Sequence, residues 1–289
     1  MVFDAIISKK ITDFVKGKPK TIQEISQHIK KNWRTAERYV EKIEKESGTL
    51  STRIFREGTR GALKVVYWNT IEDMHSLSFQ EEIYDTIMDA EVKESFSPFD
   101  IYQHVDEKNK KVFLQDISKL NPEVDITEHE DLVGLLRKAT KQVYAFSGNL
   151  SWINAKQGKT KILDVVRELV KRGVSIKVVA RVSMVGADNA KKLLAINKET
   201  GRDLIEIIHR RQPLRALMID NKVIRLREIK SPEYYAPGEL KKKVEIFYEI
   251  FDKEWIEWIQ KIFWKMFSTG MPAEKRIKEI ENIQKKLGE

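Results

Sequence analysis

The run VSIKVVARV, residues 174–182, limits most strongly what this chain can fold into. It is a β-branched run, which marks a buried strand. The segment before it, TKILDVVRELVKRG, places Ile162, Val165, Val166, Leu169 and Val170 on one helical face, and Gly173 stops that helix. Earlier still, KQVYAFSGNL reads as a strand ending in the small polar turn Ser147-Gly148-Asn149. Strand, helix and strand in this order form a β-α-β unit, so the expected class is α/β. Ligands of such sheets gather at the carboxyl ends of the strands, where Ser147 and Asn149 lie.

Downstream, NAKKLLAINKETG reads as a helix and IEIIHR as a strand, followed by LRALMIDNKVIRLRE. The stretch KKKVEIFYEIFDKEWIEWIQKIFWKMF reads as one long helix with Phe247, Phe251, Trp255 and Trp258 on a continuing core face. Trp264 and Phe267 are surplus aromatics suited to a subunit interface. After Gly270 a charged helix carries the narrow apolar stripe Ile277, Ile280, Ile283 and Leu287, suited to a partner or to the body of its own chain.

The other end of the chain has a different character. Residues 1–70 hold 15 Lys and Arg against 8 Asp and Glu, a net +7. Residues 71–140 hold 7 against 17, a net −10, and the rest of the chain is again basic within an overall +9. Three modules are implied, and a basic block suits a polyanion-binding face, with a solvated lysine-rich surface as the alternative. In the first block, residues 4–16 read as a helix. Thr21 and Glu24 form a capping box for a short second helix, and WRTAERYVEKIEKESG reads as a third. Its Ala36, Val40 and Ile43 face inward, while Arg34, Arg38 and Lys42 line another face. Strands at 52–56 and 62–68 follow. In the acidic segment LSFQEEIYDTIMDA reads as a helix and KKVFLQ as a short strand; the remainder has no sustained period.

Three helices and a basic hairpin resemble a winged helix-turn-helix. That resemblance implies base contacts from Trp33, Arg34, Thr35, Arg38, Tyr39 and Lys42, and phosphate contacts from Arg53, Arg56, Arg60 and Lys64. Trp33 and Tyr39 could equally be packing residues. The series YAFSGN, helix, VKRGVSIKVVARV and RALMIDNK resembles a phospholipase D-like domain, and the combination resembles the archaeal TrmB family of transcriptional regulators. Family enzymes carry H-x-K-x-x-x-x-D, whose His is the nucleophile and whose Lys neutralises phosphate. Anchored on Asp220, the His position falls on Pro213 and the Lys position on Arg215. Anchored on His209 and Arg211, the Asp position falls on Ala216. Neither register is complete. His209, Arg211 and Arg215 on one strand face, with Ser147, Asn149 and Asp220, leave room for an anion or effector site.

The expected architecture is therefore a winged helix-turn-helix (1–70), an acidic helical connector (71–128), a degenerate phospholipase D-like α/β domain (129–270) and a C-terminal helix (271–289). The expected function is DNA-binding transcriptional regulation, without catalysis. The rival is a phosphodiesterase or nuclease with a rearranged site, and a third reading is a protein-interaction scaffold. Expected partners are double-stranded DNA, a second copy of the chain and a small-molecule effector, with no membrane, no metal and no cofactor. The absence of cysteine, of a leader and of a long apolar run makes a cytoplasmic protein the expectation.

Overall fold

The protein is described by a computed structural model covering residues 5–47, 50–56, 62–68, 76–118, 125–127 and 129–287. Its first unit runs α1 (Ala5–Gly17), β1 (Lys20–Thr21), α2 (Ile22–His28), α3 (Trp33–Ser47), β2 (Leu50–Arg56) and β3 (Ala62–Trp68). The three strands form one antiparallel sheet in the order β1-β3-β2. Ile11, Val15, Ile25, Ala36, Val40 and Leu50 are completely buried between helices and ribbon. The capping box at α2 forms as the sequence implies. Glu24 N–H donates to Thr21 Oγ1 (3.2 Å), and Thr21 N–H donates to Glu24 Oε2 (2.7 Å). Removing it with Thr21→Ala is expected to cost about 1 kcal/mol, read as a lowered thermal midpoint.

The acidic segment supplies α4 (Ser76–Asp89), the short α5 (Phe99–Tyr102) and β4 (Lys110–Asp116). Then follow β5 (Asp125–Ile126), α6 (Leu132–Arg137), β6 (Gln142–Ser147), β7 (Lys156–Gln157), β8 (Thr160–Lys161), α7 (Ile162–Lys171), β9 (Ser175–Ala180), α8 (Met184–Thr200) and β10 (Ile205–His209). The chain closes with β11 (Ala216–Ile219), β12 (Val223–Lys230), β13 (Val244–Ile250), α9 (Lys253–Thr269), β14 (Met271–Pro272) and α10 (Ala273–Leu287). Eight strands make one mixed sheet in the order β14-β10-β9-β6-β11-β12-β13-β4. Its centre, β6, β9 and β10, is parallel, as a β-α-β chain requires. Alternation sends Val143 and Ala145 of β6 to one face, under α6, α7, α8 and α10. Tyr144 and Phe146 go to the other face, under α9.

Two expectations are corrected, and one that was left open is decided. The connector is not purely helical and does not stand apart: β4 pairs with β13 along its whole length, so 110–116 is an edge of the large sheet. The long aromatic helix is a strand followed by a helix. Val244–Ile250 is buried at nearly every position, which a helix with one exposed face cannot give. The Asp252 carboxylate then caps α9 by accepting from the Glu254 and Trp255 N–H groups. The C-terminal helix packs on its own chain, since Ala273, Ile277 and Ile280 belong to the core beside α8 and β10.

The first unit is docked on the second. Phe55, Leu63 and Tyr67 of the β2–β3 ribbon share a core with Phe99, Tyr102 and Tyr248, and Phe99 meets Tyr67 edge-on at 5.4 Å. Among the described residues no helix is long and apolar enough to cross a membrane.

Candidate functional site

Two places concentrate the charged residues singled out by the sequence. The first is α3. Asn32 starts it by accepting from Thr35 N–H (2.9 Å). At 100° per residue, Arg34 and Arg38 stand opposite the buried Ala36, Val40 and Ile43, and both are exposed. Trp33 is 50% exposed, with the Arg34 guanidinium 5.5 Å from its ring centre. The helix has no acid in its first turn. Its Glu37 and Glu41 are held by Lys64 of the ribbon, at 3.0 and 3.2 Å. Thr35 and Lys42 are half-buried, and Tyr39 packs on the three-helix core, which favours its packing role.

The ribbon cations are placed differently from what the resemblance implies. Lys64 is engaged by two carboxylates of α3. Arg53 is ion-paired with Glu107 (3.2 Å) and lies over the Tyr102 ring. Arg53 is neutralised because the ribbon is docked on the second unit, and Lys64 because it lies against the helix α3 of its own unit. Arg60 and the Arg56 side chain lie outside the described residues.

The second place is a cavity of about 980 Å³ at the carboxyl edge of the parallel strands. Ser147, Gly148, Asn149 and Arg215 line it, with Arg181, Gln212 and Arg227, which the sequence reading did not single out. Arg181 was within reach of that reading, because it directly follows the carboxyl end of β9. Gln212 gave no signal. Arg215 is half-buried and lies against Gly148, where a Cβ would come within 2.7 Å of its Nη2. Burial, and then the neighbouring Arg227 and Arg181, lower its pKa to about 10, so it remains a cation at neutral pH.

The other expected members of this site are dispersed. His209 ends β10 and does not share a strand with Arg211 or Arg215, which lie in the loop that follows. Arg211 pairs with Glu91 at 2.8 Å. The His209 Nδ1 accepts from the Val182 backbone N–H (2.9 Å), which puts the imidazole proton on Nε2. Burial, then Arg276 and Arg211, lower its pKa. Asp220 stands at the opposite edge. Antiparallel pairing sets Ile219 beside Val143 and Ala216 beside Phe146, so Asp220 adjoins the start of β6 and Ser147 its end. Five residues at about 3.3 Å each separate them. The Asp220 carboxylate accepts from Thr140 N–H (2.7 Å), Thr140 Oγ1 (2.7 Å), Lys141 N–H (2.8 Å) and Gln142 N–H (2.9 Å). It is a structural clamp. Among the described residues no histidine lines the cavity, and no group of His, Asp or Glu could hold a metal.

No family model and no curated protein matches the chain. Among solved structures it is similar to a phospholipase D family member, Nuc from Salmonella typhimurium, at a TM-score of 0.39 and 10% identity, covering 56% of this chain and 97% of that one. It is also similar to TrmBL2, an archaeal chromatin protein, at a TM-score of 0.38 and 13% identity, covering 93% of this chain and 94% of that one. A third is NucT from Helicobacter pylori, at a TM-score of 0.38 and 10% identity, over 56% and 98%. Likeness at this level carries no argument about function, which rests on the residues themselves.

Proposed function

We propose that this chain is a DNA-binding regulator of the TrmB type, whose first unit acts as a winged helix-turn-helix and whose second is a phospholipase D-like domain without catalysis. The observation that carries the reading is the outward face of α3. Arg34 and Arg38 are exposed there beside Trp33, while Glu37 and Glu41 of the same helix are occupied by Lys64. Exposed guanidiniums in the N-terminal half of such a helix match the acceptors of guanine and of the phosphates. The net +7 of residues 1–70 supplies the long-range attraction.

The non-enzymatic reading is supported by Pro213 and Arg215 at the two positions the chemistry would need, and by His209. A nucleophilic imidazole needs a free basic nitrogen, and the one in His209 already accepts from Val182. Pairing into a homodimer would double the DNA contacts, and Met184 and Val185, 56% and 77% exposed at the start of α8, give such pairing an apolar surface.

In a fluorescence anisotropy titration with a labelled duplex, Arg38→Ala is expected to weaken binding by about 1–3 kcal/mol. Affinity should also fall steeply between about 50 and 200 mM salt as counterions are released. Unchanged affinity in Arg38→Ala, or binding insensitive to salt, would remove α3 from the interface. Metal-independent cleavage of DNA that disappears in His209→Ala would favour the nuclease reading instead.

A further inference from the structure

The parallel strands have a second edge, opposite the cavity, where the turns that enter them gather. The sheet order β10-β9-β6-β11 sets four turns side by side: 201–204 before β10, 171–174 before β9, 138–141 before β6 and 220–222 after β11. The backbone joins them. Ile176 N–H donates to the Leu204 carbonyl (2.8 Å), Ser175 N–H to the Lys141 carbonyl (3.0 Å) and Asp220 N–H to the Gln142 carbonyl (3.1 Å). Four adjacent strands at about 4.8 Å spacing make a row about 14 Å long.

These turns hold six Lys and Arg against two Asp, while the whole chain holds 53 basic against 44 acidic residues. Lys138, Lys141, Lys171, Arg172, Arg202 and Lys222 are all exposed, and none makes an ion pair among the described residues. The neighbouring acids are taken by other cations, Glu168 by Arg137 (3.1 Å) and Glu199 by Arg167 (2.7 Å). Arg172 and Arg202 donate to the carbonyls of Arg137, Ala139 and Val170, which fixes both guanidiniums at the edge. Asp220 is enclosed by its four hydrogen bonds, and Asp203 accepts from Asn197 Nδ2 (3.0 Å). Like charges held in one row repel, and a polyanion laid along them relieves that repulsion.

Among the described residues no strongly exposed aromatic or large aliphatic side chain lies in these turns. The row therefore offers no platform for the unstacked bases of a single strand and no apolar face to enter a lipid surface. Cations alone on a rigid support fit the phosphates of a duplex, which carries one negative charge per about 1.7 Å of axis. The strand register relates the row to the first unit. Val223 pairs with Ile219, Ile224 with Ile250 and Ile250 with Lys110, so the β11–β12 turn and the start of β4 share one end of the sheet. Glu107, which holds Arg53 of the ribbon, just precedes that start. From β6 to β4 is about 19 Å across the sheet, less than one turn of B-DNA at about 34 Å.

We propose that this amino edge of the sheet is a second contact surface for duplex DNA, one that holds phosphates without reading sequence. It goes beyond the α3 contact and leaves base recognition to the first unit.

The test is fluorescence anisotropy of the full chain with a labelled duplex of arbitrary sequence, titrated at several salt concentrations. The triple variant Lys138→Gln, Lys141→Gln and Lys222→Gln is expected to bind about tenfold or more weaker at about 100 mM salt. Its slope of log affinity against log salt should fall by about 2–3. Lys261→Gln, Lys265→Gln and Lys275→Gln together make the same charge change at exposed positions outside the row, and should bind within about twofold of the parent chain. Asp203→Asn removes an acid from the row and should tighten binding by about twofold or more, a gain that misfolding cannot produce. Equal losses in the two triple variants would reduce the effect to bulk charge and overturn the proposal. An unchanged salt slope in the row variant, or no duplex binding by the parent chain, also overturns it. So does tighter binding of a single-stranded oligonucleotide or of phosphatidylglycerol vesicles through the same lysines. The α3 reading is scored separately: if Arg38→Ala has no effect while the row variant does, α3 falls and the edge stands.

Discussion

Phe263→Ala is expected to lower the stability of the folded chain by about 3–5 kcal/mol, with an equal loss in urea and thermal unfolding. The ring is completely buried at the middle of α9. It stacks on Tyr144 of β6 at 4.7 Å, meets Phe146 edge-on at 5.3 Å and touches Trp264 and Phe267. Truncation removes the transfer energy of a phenyl ring and leaves a cavity that neighbours from a strand and a helix cannot collapse to fill. The effect reaches the candidate site, because Tyr144 and Phe146 lie in the strand that ends at Ser147. Unfolding can be followed by tryptophan emission, to which the neighbouring Trp264 contributes as one of six. A loss below about 1 kcal/mol would mean that the ring does not hold α9 to the sheet.

Asp220→Ala is expected to cost about 2–3 kcal/mol after allowance for the screening of a part-exposed carboxylate. Its four hydrogen bonds tie the β11–β12 turn to the chain entering β6. Asp220 and Asn221 both have positive φ, 50° and 55°, a conformation in which Asp and Asn are the best tolerated residues after glycine. Alanine would lose the hydrogen bonds and strain the turn as well. Burial alone would raise the carboxyl pKa, but the hydrogen bonds from Gln142, Thr140 and Lys141 outweigh it and leave the pKa lowered. A lowered folded pKa means that the stabilisation is present above the unfolded value, about 3.9, and is lost as pH falls through the folded one. Denaturation midpoints of the parent chain and Asp220→Ala should therefore differ at pH 7 and converge in strong acid. A constant difference across that range would show that the carboxylate charge contributes nothing. The loss of duplex affinity caused by Arg38→Ala should be the same in this variant, since the Asp220 carboxylate makes its hydrogen bonds to residues 140–142 and none to α3.

Asp220 illustrates what could be read in advance and what could not. Its position after a hydrophobic strand marked it in the sequence, and the structure keeps it for shape rather than chemistry. The β-α-β unit from Val143 to Val182 was legible because the pattern changes from strand to helix and back. The capping box at Thr21 was legible because its two partners are three residues apart. The aromatic stretch at 244–267 was misread, because the apolar residues of Val244–Ile250 recur at spacings that fit a helix as well as a strand. The strand at 110–116 was visible as a strand, but its partner β13 lies more than a hundred residues away.

By itself, then, the sequence determined the local elements, the basic character of residues 1–70 and the outward face of α3, since each depends on neighbours within a few residues. Only the tertiary structure decided which charges remain available. It placed Arg53 on Glu107 and Lys64 on Glu37 and Glu41, gave Arg211 to Glu91, and among the described residues set no carboxylate in ion-pair contact with Arg181 or Arg215 at the cavity. The physical reason is that a charge is neutralised by whatever carboxylate folding brings within about 4 Å, and that pairing is set by the packing of distant segments.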